Sequence, residues 1–166
     1  PPCFGDLLGS IDLGVFGGTN TFAYSWTPSV GTTPSVSNLS AGTYCVHITD
    51  SNNCAFDTCI TLTEPTALVI DSLRSPVYPG GWNVSCNGGT DGNIFSYEHG
   101  GTPSYTNYWS NGDTTQNTLN VSVFTYYLTV TDMHGCTATD SITINEPQKI
   151  STTVTANVPV SCFGDS

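Results

Sequence analysis

Seven cysteines, at positions 3, 45, 54, 59, 86, 136 and 162, are the residues of this 166-residue chain best equipped for chemistry. Thiols can hold a metal, act as nucleophiles or pair as disulfides. The best zinc set is Cys45, His47, Cys54 and Cys59, with Cys45 and His47 two apart and so on one face of a strand. No C-x-x-C spacing supports it. A second observation favours pairing. "TYCVHITD" and "AFDTCITLT" read as a hairpin centred near residue 52, which places Cys45 opposite Cys59. Directly opposed strand residues approach to about 4.5–5.5 Å between Cα atoms, within disulfide range.

The other cysteines are organised by a repeat. "CFGDLLGSI" (3–11) matches "CNGGTDGNI" (86–94), and "FGGTNTFAYSW" (16–26) matches "HGGTPSYTNYW" (99–109), both at an offset of 83. "GTYCVHITDSNNCAFDTCITLTEP" (42–65) matches "FTYYLTVTDMHGCTATDSITINEP" (124–147) at an offset of 82. "SCFGDS" at the end opens a third copy. The chain therefore reads as a window on a longer tandem array. Cys3 and Cys54 recur as Cys86 and Cys136, so one pair per repeat is expected, with Cys162 paired to a residue outside the chain. Cys45 and Cys59 are an extra pair of the first copy, replaced by Tyr127 and Ser141 in the second. Paired, repeating cysteines argue against a reactive thiol and for an oxidising compartment. A recurring pair that closes about 50 residues would stabilise a small domain by about 4 kcal/mol in the chain-entropy treatment.

The elements that position these residues are strands. "NIFSYE", "TYCVHIT", "YYLTVTD", "DSITIN" and "ISTTVTA" are rich in Val, Ile, Thr and Tyr, and several alternate with period two. Gly17-Gly18, Asn52-Asn53, Asn111-Gly112 and His134-Gly135 mark turns between them. No stretch has helical periodicity. Several short strands in about 80 residues predict a two-sheet sandwich, with Trp26 and Trp109 as core residues between the sheets. Thirteen Asp and Glu stand against two Lys and Arg, for a net charge of −11. That balance excludes a duplex nucleic-acid partner, which needs a basic footprint, and disfavours an anionic membrane surface. No apolar run reaches the length of a membrane span.

The spaced motifs C-x-G-x-x-x-G-x-I, GGT-x-x-x-x-x-x-W, GTY-x-V-x-x-TD-x-x-x-C and T-x-x-EP together resemble the SprB repeat over nearly the whole chain. Two departures stand out: Phe124 replaces Gly42, and Cys45/Cys59 are additional. The resemblance implies an all-β fold of tandem immunoglobulin-like or PKD-like β-sandwiches. It implies repeats in very large surface adhesins of Bacteroidota, exported by the type IX secretion system, some of them in gliding motility. On its boundaries, residues 1–65 are a repeat lacking its first strand, 66–148 a complete repeat beginning with "ALVIDSL", and 149–166 the start of a third. "RSPVYPGGWN" (74–83) is a connector expected to form a bulge or loop. The implied partners are neighbouring repeats of the same chain, other filament chains and surface glycans.

Site candidates follow from the same frame. Asp6, Asp91, Glu64 and Glu146 recur or cluster near domain ends and are weak calcium candidates; turn chemistry is the stronger reading of such residues, and no cofactor is expected. Asp50 and Asp132 read as hairpin-turn residues. By resemblance to exported Bacteroidota proteins, D-[ST]-x sites make Thr114, Ser72 and Ser141 candidate O-glycan acceptors, with Thr114, on a turn, the most accessible. Asn38, Asn83 and Asn120 stand in N-x-[ST] sequons. No nucleophile-elbow, metalloprotease or phosphate-loop motif is present, and the three histidines occupy unmatched positions, so no enzyme is expected. A carbohydrate- or ligand-binding module remains the alternative, using Tyr97, Tyr105, Tyr108 or Trp82, the one Trp expected to be exposed. An accessory domain of a secreted enzyme is a further alternative.

Overall fold

A computed structural model describes residues 1–19 and 21–155 of the chain, all as strands, turns and loops with no helix among them. Eleven strands divide into two sandwiches. The first holds β1 (Gly9–Asp12), β2 (Ala23–Thr27), β3 (Ser35–Leu39), β4 (Gly42–Thr49) and β5 (Ala55–Leu62). The second holds β6 (Val69–Arg74), β7 (Gly92–His99), β8 (Thr106–Trp109), β9 (Thr118–Val121), β10 (Phe124–Thr131) and β11 (Thr137–Ile144).

The second sandwich has strand orders β6-β7-β9 and β11-β10-β8, all antiparallel. In the lettering of immunoglobulin domains these are the A-B-E and G-F-C sheets. The first sandwich repeats the arrangement as β1-β3 and β2-β4-β5. Nothing among the described residues pairs with β1 as β6 pairs with β7. Period-two alternation sets the inward faces: Tyr126, Leu128 and Val130 of β10 are buried, whereas Tyr127 between them is exposed. Their counterparts Tyr44, Val46 and Ile48 do the same in β4. Each sandwich has its own core, one around Trp109 with Val84, Ile94, Val121 and Ile144, the other around Trp26 with Ile11, Val36 and Leu39.

Two buried polar groups fix each core. Trp26 Nε1 donates to Thr33 O at 3.0 Å, and Trp109 Nε1 donates to Thr115 O at 3.0 Å. Tyr44 donates its hydroxyl to Ser40 O at 3.0 Å, and Tyr126 donates to Ser122 O at 3.1 Å. A tyrosine at the start of strand F that bonds back four residues is the tyrosine corner of immunoglobulin-like sandwiches. Tyr126→Phe keeps the ring and removes the bond, so its expected cost is about 1 kcal/mol, read by urea unfolding.

Phe124 starts β10 where Gly42 starts β4, and its exposed ring meets Tyr126 edge-on at 5.7 Å, so the substitution leaves the strand start unchanged. The connector folds back as a tight turn, with Tyr78 N donating to Trp82 O at 2.7 Å. "ISTTVTA" departs from expectation. Its described residues, 150–155, form no strand, and Ile150 and Val154 are exposed. A strand needs a neighbour for its backbone donors and acceptors, and no described strand pairs with this segment. Residues 156–166, with Cys162, lie outside the described residues.

Candidate functional site

The two sandwiches meet between Glu64 and Thr66. On one side the C-x-G turn of the first sandwich lies beside the end of β5: Gly5 N donates to Glu64 Oε2 at 2.7 Å, and Asp6 N donates to Cys3 O at 3.3 Å. On the other side the β10–β11 hairpin of the second sandwich is built around Asp132. Its Oδ1 accepts from His134 N at 2.9 Å and Cys136 N at 2.8 Å, and its Oδ2 accepts from Thr102 N at 2.8 Å. The incoming chain is gripped there as well, since Gly101 N donates to Thr66 O at 2.8 Å. Gly100 and Gly101 have positive φ, and a Cβ on Gly100 would overlap Ala67 O, so the strand entry requires glycine. Across the boundary Cys3 and Cys136 form a disulfide, with Cα atoms 5.7 Å apart.

This bond corrects the expected pairing. Cys3 pairs with Cys136 rather than Cys54, and Cys54 and Cys86 are exposed and unpaired among the described residues. The reason is the length of the strands. Cys136 stands at the leading end of β11, eight residues long, whereas Cys86 sits at its trailing end. There Asn87 Nδ2 donates to Glu146 Oε1 at 2.9 Å and Gly88 N donates to Glu146 Oε2 at 2.6 Å. Eight residues of strand span about 26 Å, and disulfide Cα atoms lie within about 7 Å. The two cysteines of one repeat are at opposite ends of the sandwich. Cys45 and Cys59 are directly opposed in the β4–β5 register and are bonded, with Cα atoms 4.0 Å apart. His47 faces Asp57 at 2.7 Å, not a thiol.

The acidic residues serve the backbone. Asp50 Oδ1 accepts from Asn52 N and Cys54 N, each at 2.9 Å, and its Oδ2 accepts from Thr19 N at 3.1 Å. These bonds, that from the Thr19 amide foremost, lower its pKa from 3.8 to about 2. Asp132 is lowered chiefly by the Thr102 amide, Asp113 by the Thr115 amide, and Asp91 by the Ser85 amide and then the Tyr78 hydroxyl. Tyr78 is raised by the hydrogen bond it donates to Asp91. A carboxylate with a depressed folded pKa contributes stability that is complete above its ordinary value and lost as pH falls through the folded value. The thermal midpoint is therefore expected to fall steeply between pH 4 and 2. An Asp50→Asn/Asp132→Asn variant should begin lower at pH 7 and show a flatter acid limb by circular dichroism.

Of the calcium candidates, Glu64, Glu146 and Asp91 face amide, hydroxyl and side-chain donors. Among the described residues no three His, Cys, Asp or Glu side chains converge. Thr114 is exposed in the β8–β9 loop, and Ser141 is exposed on β11 opposite Tyr127. Ser72 is half-buried and accepts from Arg74 Nε at 3.3 Å. Trp82 is half-buried in its turn against Gly80, not exposed. Tyr105 is half-buried and donates to Gly100 O at 2.6 Å, whereas Tyr97, Tyr108 and Tyr127 are exposed. Sequence reasoning missed the junction disulfide and both tyrosine corners; the corners were signalled by a Tyr four residues after a Ser in both copies.

Fold and junction together define a chain of immunoglobulin-like β-sandwiches joined in series and tied covalently across their boundary. Two disulfides fit an oxidising, extracellular-type environment, and no helix among the described residues is long and apolar enough to cross a membrane. The chain matches no protein-family model and no curated protein. Among solved structures it is similar to the amphioxus IgVJ-C2 molecule, at 17% identity and a TM-score of 0.38, over 84% of this chain and 97% of that one.

Proposed function

We propose that this chain is a length of shaft from a large extracellular surface adhesin or filament of the SprB-repeat kind, a spacer without catalytic activity. The observation that carries this reading is the Cys3–Cys136 bond, which ties two equivalent sandwiches across their boundary. A bond that closes the chain across a domain boundary suits a load-bearing series of domains, because it limits how far the junction can extend. The first sandwich adds support. Between the β1–β2 connection and the β4–β5 hairpin lies an open groove of about 380 Å³ lined by Leu13, Phe16, Phe22, Ile48 and Phe56. In the second sandwich β6 and its approach occupy the equivalent place, with Leu68, Ile70 and Leu73 packed on the core. On this reading a segment preceding Pro1 supplies the matching strand. Thr114 and Ser141 are then accessible acceptors for O-glycans.

The test is an antibody raised against residues 66–148, used on intact cells and on the material it captures. Surface labelling, and a captured polypeptide far heavier than 17.5 kDa with sugar on Asp-Ser or Asp-Thr peptides, is the expected result. An intracellular 17.5 kDa chain with reduced cysteines would overturn it.

A ligand-binding reading draws on one feature. Tyr108 and Tyr127 are exposed on the same outer face of β8-β10-β11, diagonal to one another because Tyr108 pairs with Thr129. Their counterparts are Ser25 and Cys45, so this aromatic face belongs to the second sandwich alone. Glycan-array binding lost on Tyr127→Ala would favour it.

A further inference from the structure

Cys54 and Cys86 are exposed and unpaired among the described residues. By sequence register Cys54 is the counterpart of Cys136, and Cys86 is the counterpart of Cys3. Their settings are copied as well. Asp50 N donates to Cys54 O at 3.0 Å while Asp50 Oδ1 accepts from Cys54 N at 2.9 Å; Asp132 and Cys136 make the same two bonds at 3.0 and 2.8 Å. Gly88 N meets Glu146 as Gly5 N meets Glu64, and Gly89 N donates to Cys86 O as Asp6 N donates to Cys3 O. Cys86 is thus presented at the trailing end of the second sandwich as Cys3 is at the trailing end of the first. Cys54 is presented at the leading end of the first as Cys136 is at the leading end of the second.

We propose that Cys86 and Cys54 are halves of further junction disulfides within the same polypeptide. Cys86 bonds the hairpin cysteine of the repeat that follows, and Cys54 bonds the C-x-G turn cysteine of the repeat that precedes. The inference rests on the tandem-array reading. Each bond forms as two thiols lose two protons and two electrons to a disulfide oxidant, whose own S–S bond is broken and leaves as two thiols. Every junction then carries the same staple, and successive loops overlap because Cys86 lies inside the Cys3–Cys136 loop. The covalent path through a repeat runs only from its turn cysteine to its hairpin cysteine, as from Cys86 to Cys136, rather than along the whole repeat.

The test is mass spectrometry of the native full-length protein, alkylated before digestion and kept non-reduced. The Cys86 peptide is expected linked to a T-D-x-x-x-C peptide of another repeat, and the Cys54 peptide to a C-x-G peptide of another repeat. Alkylated Cys54 and Cys86, or Cys3–Cys54 and Cys86–Cys136 linkages, would overturn the proposal. The same digest separates the two ideas. Peptides of further repeats together with alkylated Cys54 and Cys86 sink the staple alone, whereas a digest holding no repeat beyond residues 1–166 sinks the array and the staple with it.

Discussion

Replacing Cys3 and Cys136 by serine should lengthen the fully unfolded chain under force by about 390–430 Å. The two residues are 133 apart in sequence and are held at a Cα separation of 5.7 Å by the bond. With the bond intact, force passes from Cys3 to Cys136 and the loop between them cannot extend. Without it the loop extends at about 3.3–3.6 Å per residue, less the 14 residues that Cys45–Cys59 still closes. Adding a reductant to the variant should release a further ~46–50 Å, the signature of that smaller loop. Single-molecule extension reads both steps. An unfolded contour length equal in variant and parent would show that the junction is not bonded. The arrangement also has a thermodynamic side. A closed loop of this size removes about 5 kcal/mol of chain entropy from the unfolded state, so the reduced protein should unfold at lower temperature even though each core is untouched.

What the sequence disclosed and what it hid follow from the range of each signal. Alternation in β4 and β10, and the turn residues between strands, are local, and the strands lie where those patterns place them. The Cys45–Cys59 register is local too, because a tight hairpin fixes which residues face each other. Trp26 and Trp109 were legible because each follows an aromatic run in both copies. The partner of Cys3 was not legible. Repetition shows which cysteines share a role, but it does not show whether the bond closes within one copy or between a copy and the next. Only the length of β11, with Glu146 holding the turn at its far end, decides that. Trp82 misled for a similar reason: exposure in a connector depends on how Gly80 and Gly81, both at positive φ, fold the turn back. The strand expected in "ISTTVTA" is not formed over its described residues, 150–155, because a strand-forming composition does not supply a neighbouring edge.

The second large effect is expected from Trp109→Ala. The ring is fully buried at the centre of the second core, among Ile94, Leu128 and Ile144, and its Nε1 donates to Thr115 O. Removing it leaves a cavity and an unpaired carbonyl at a cost of about 3–5 kcal/mol. Domains of this size are commonly stable by only about 5–15 kcal/mol, and each kcal/mol moves the midpoint by roughly 4–8 °C. The second sandwich should therefore melt at least about 12 °C lower. The first core shares no residue with the second, so its transition should stay in place. In a Trp82→Phe background, Trp26 becomes the sole indole of the Trp109→Ala variant and reports the first sandwich alone. An unmoved Trp26 transition beside a lowered calorimetric one would establish two cores that fold independently and are tied only at their boundary. A Trp26 transition that falls as far as the other would mean that the junction, through Cys3–Cys136 and the Gly101–Thr66 bond, makes the two sandwiches one cooperative unit.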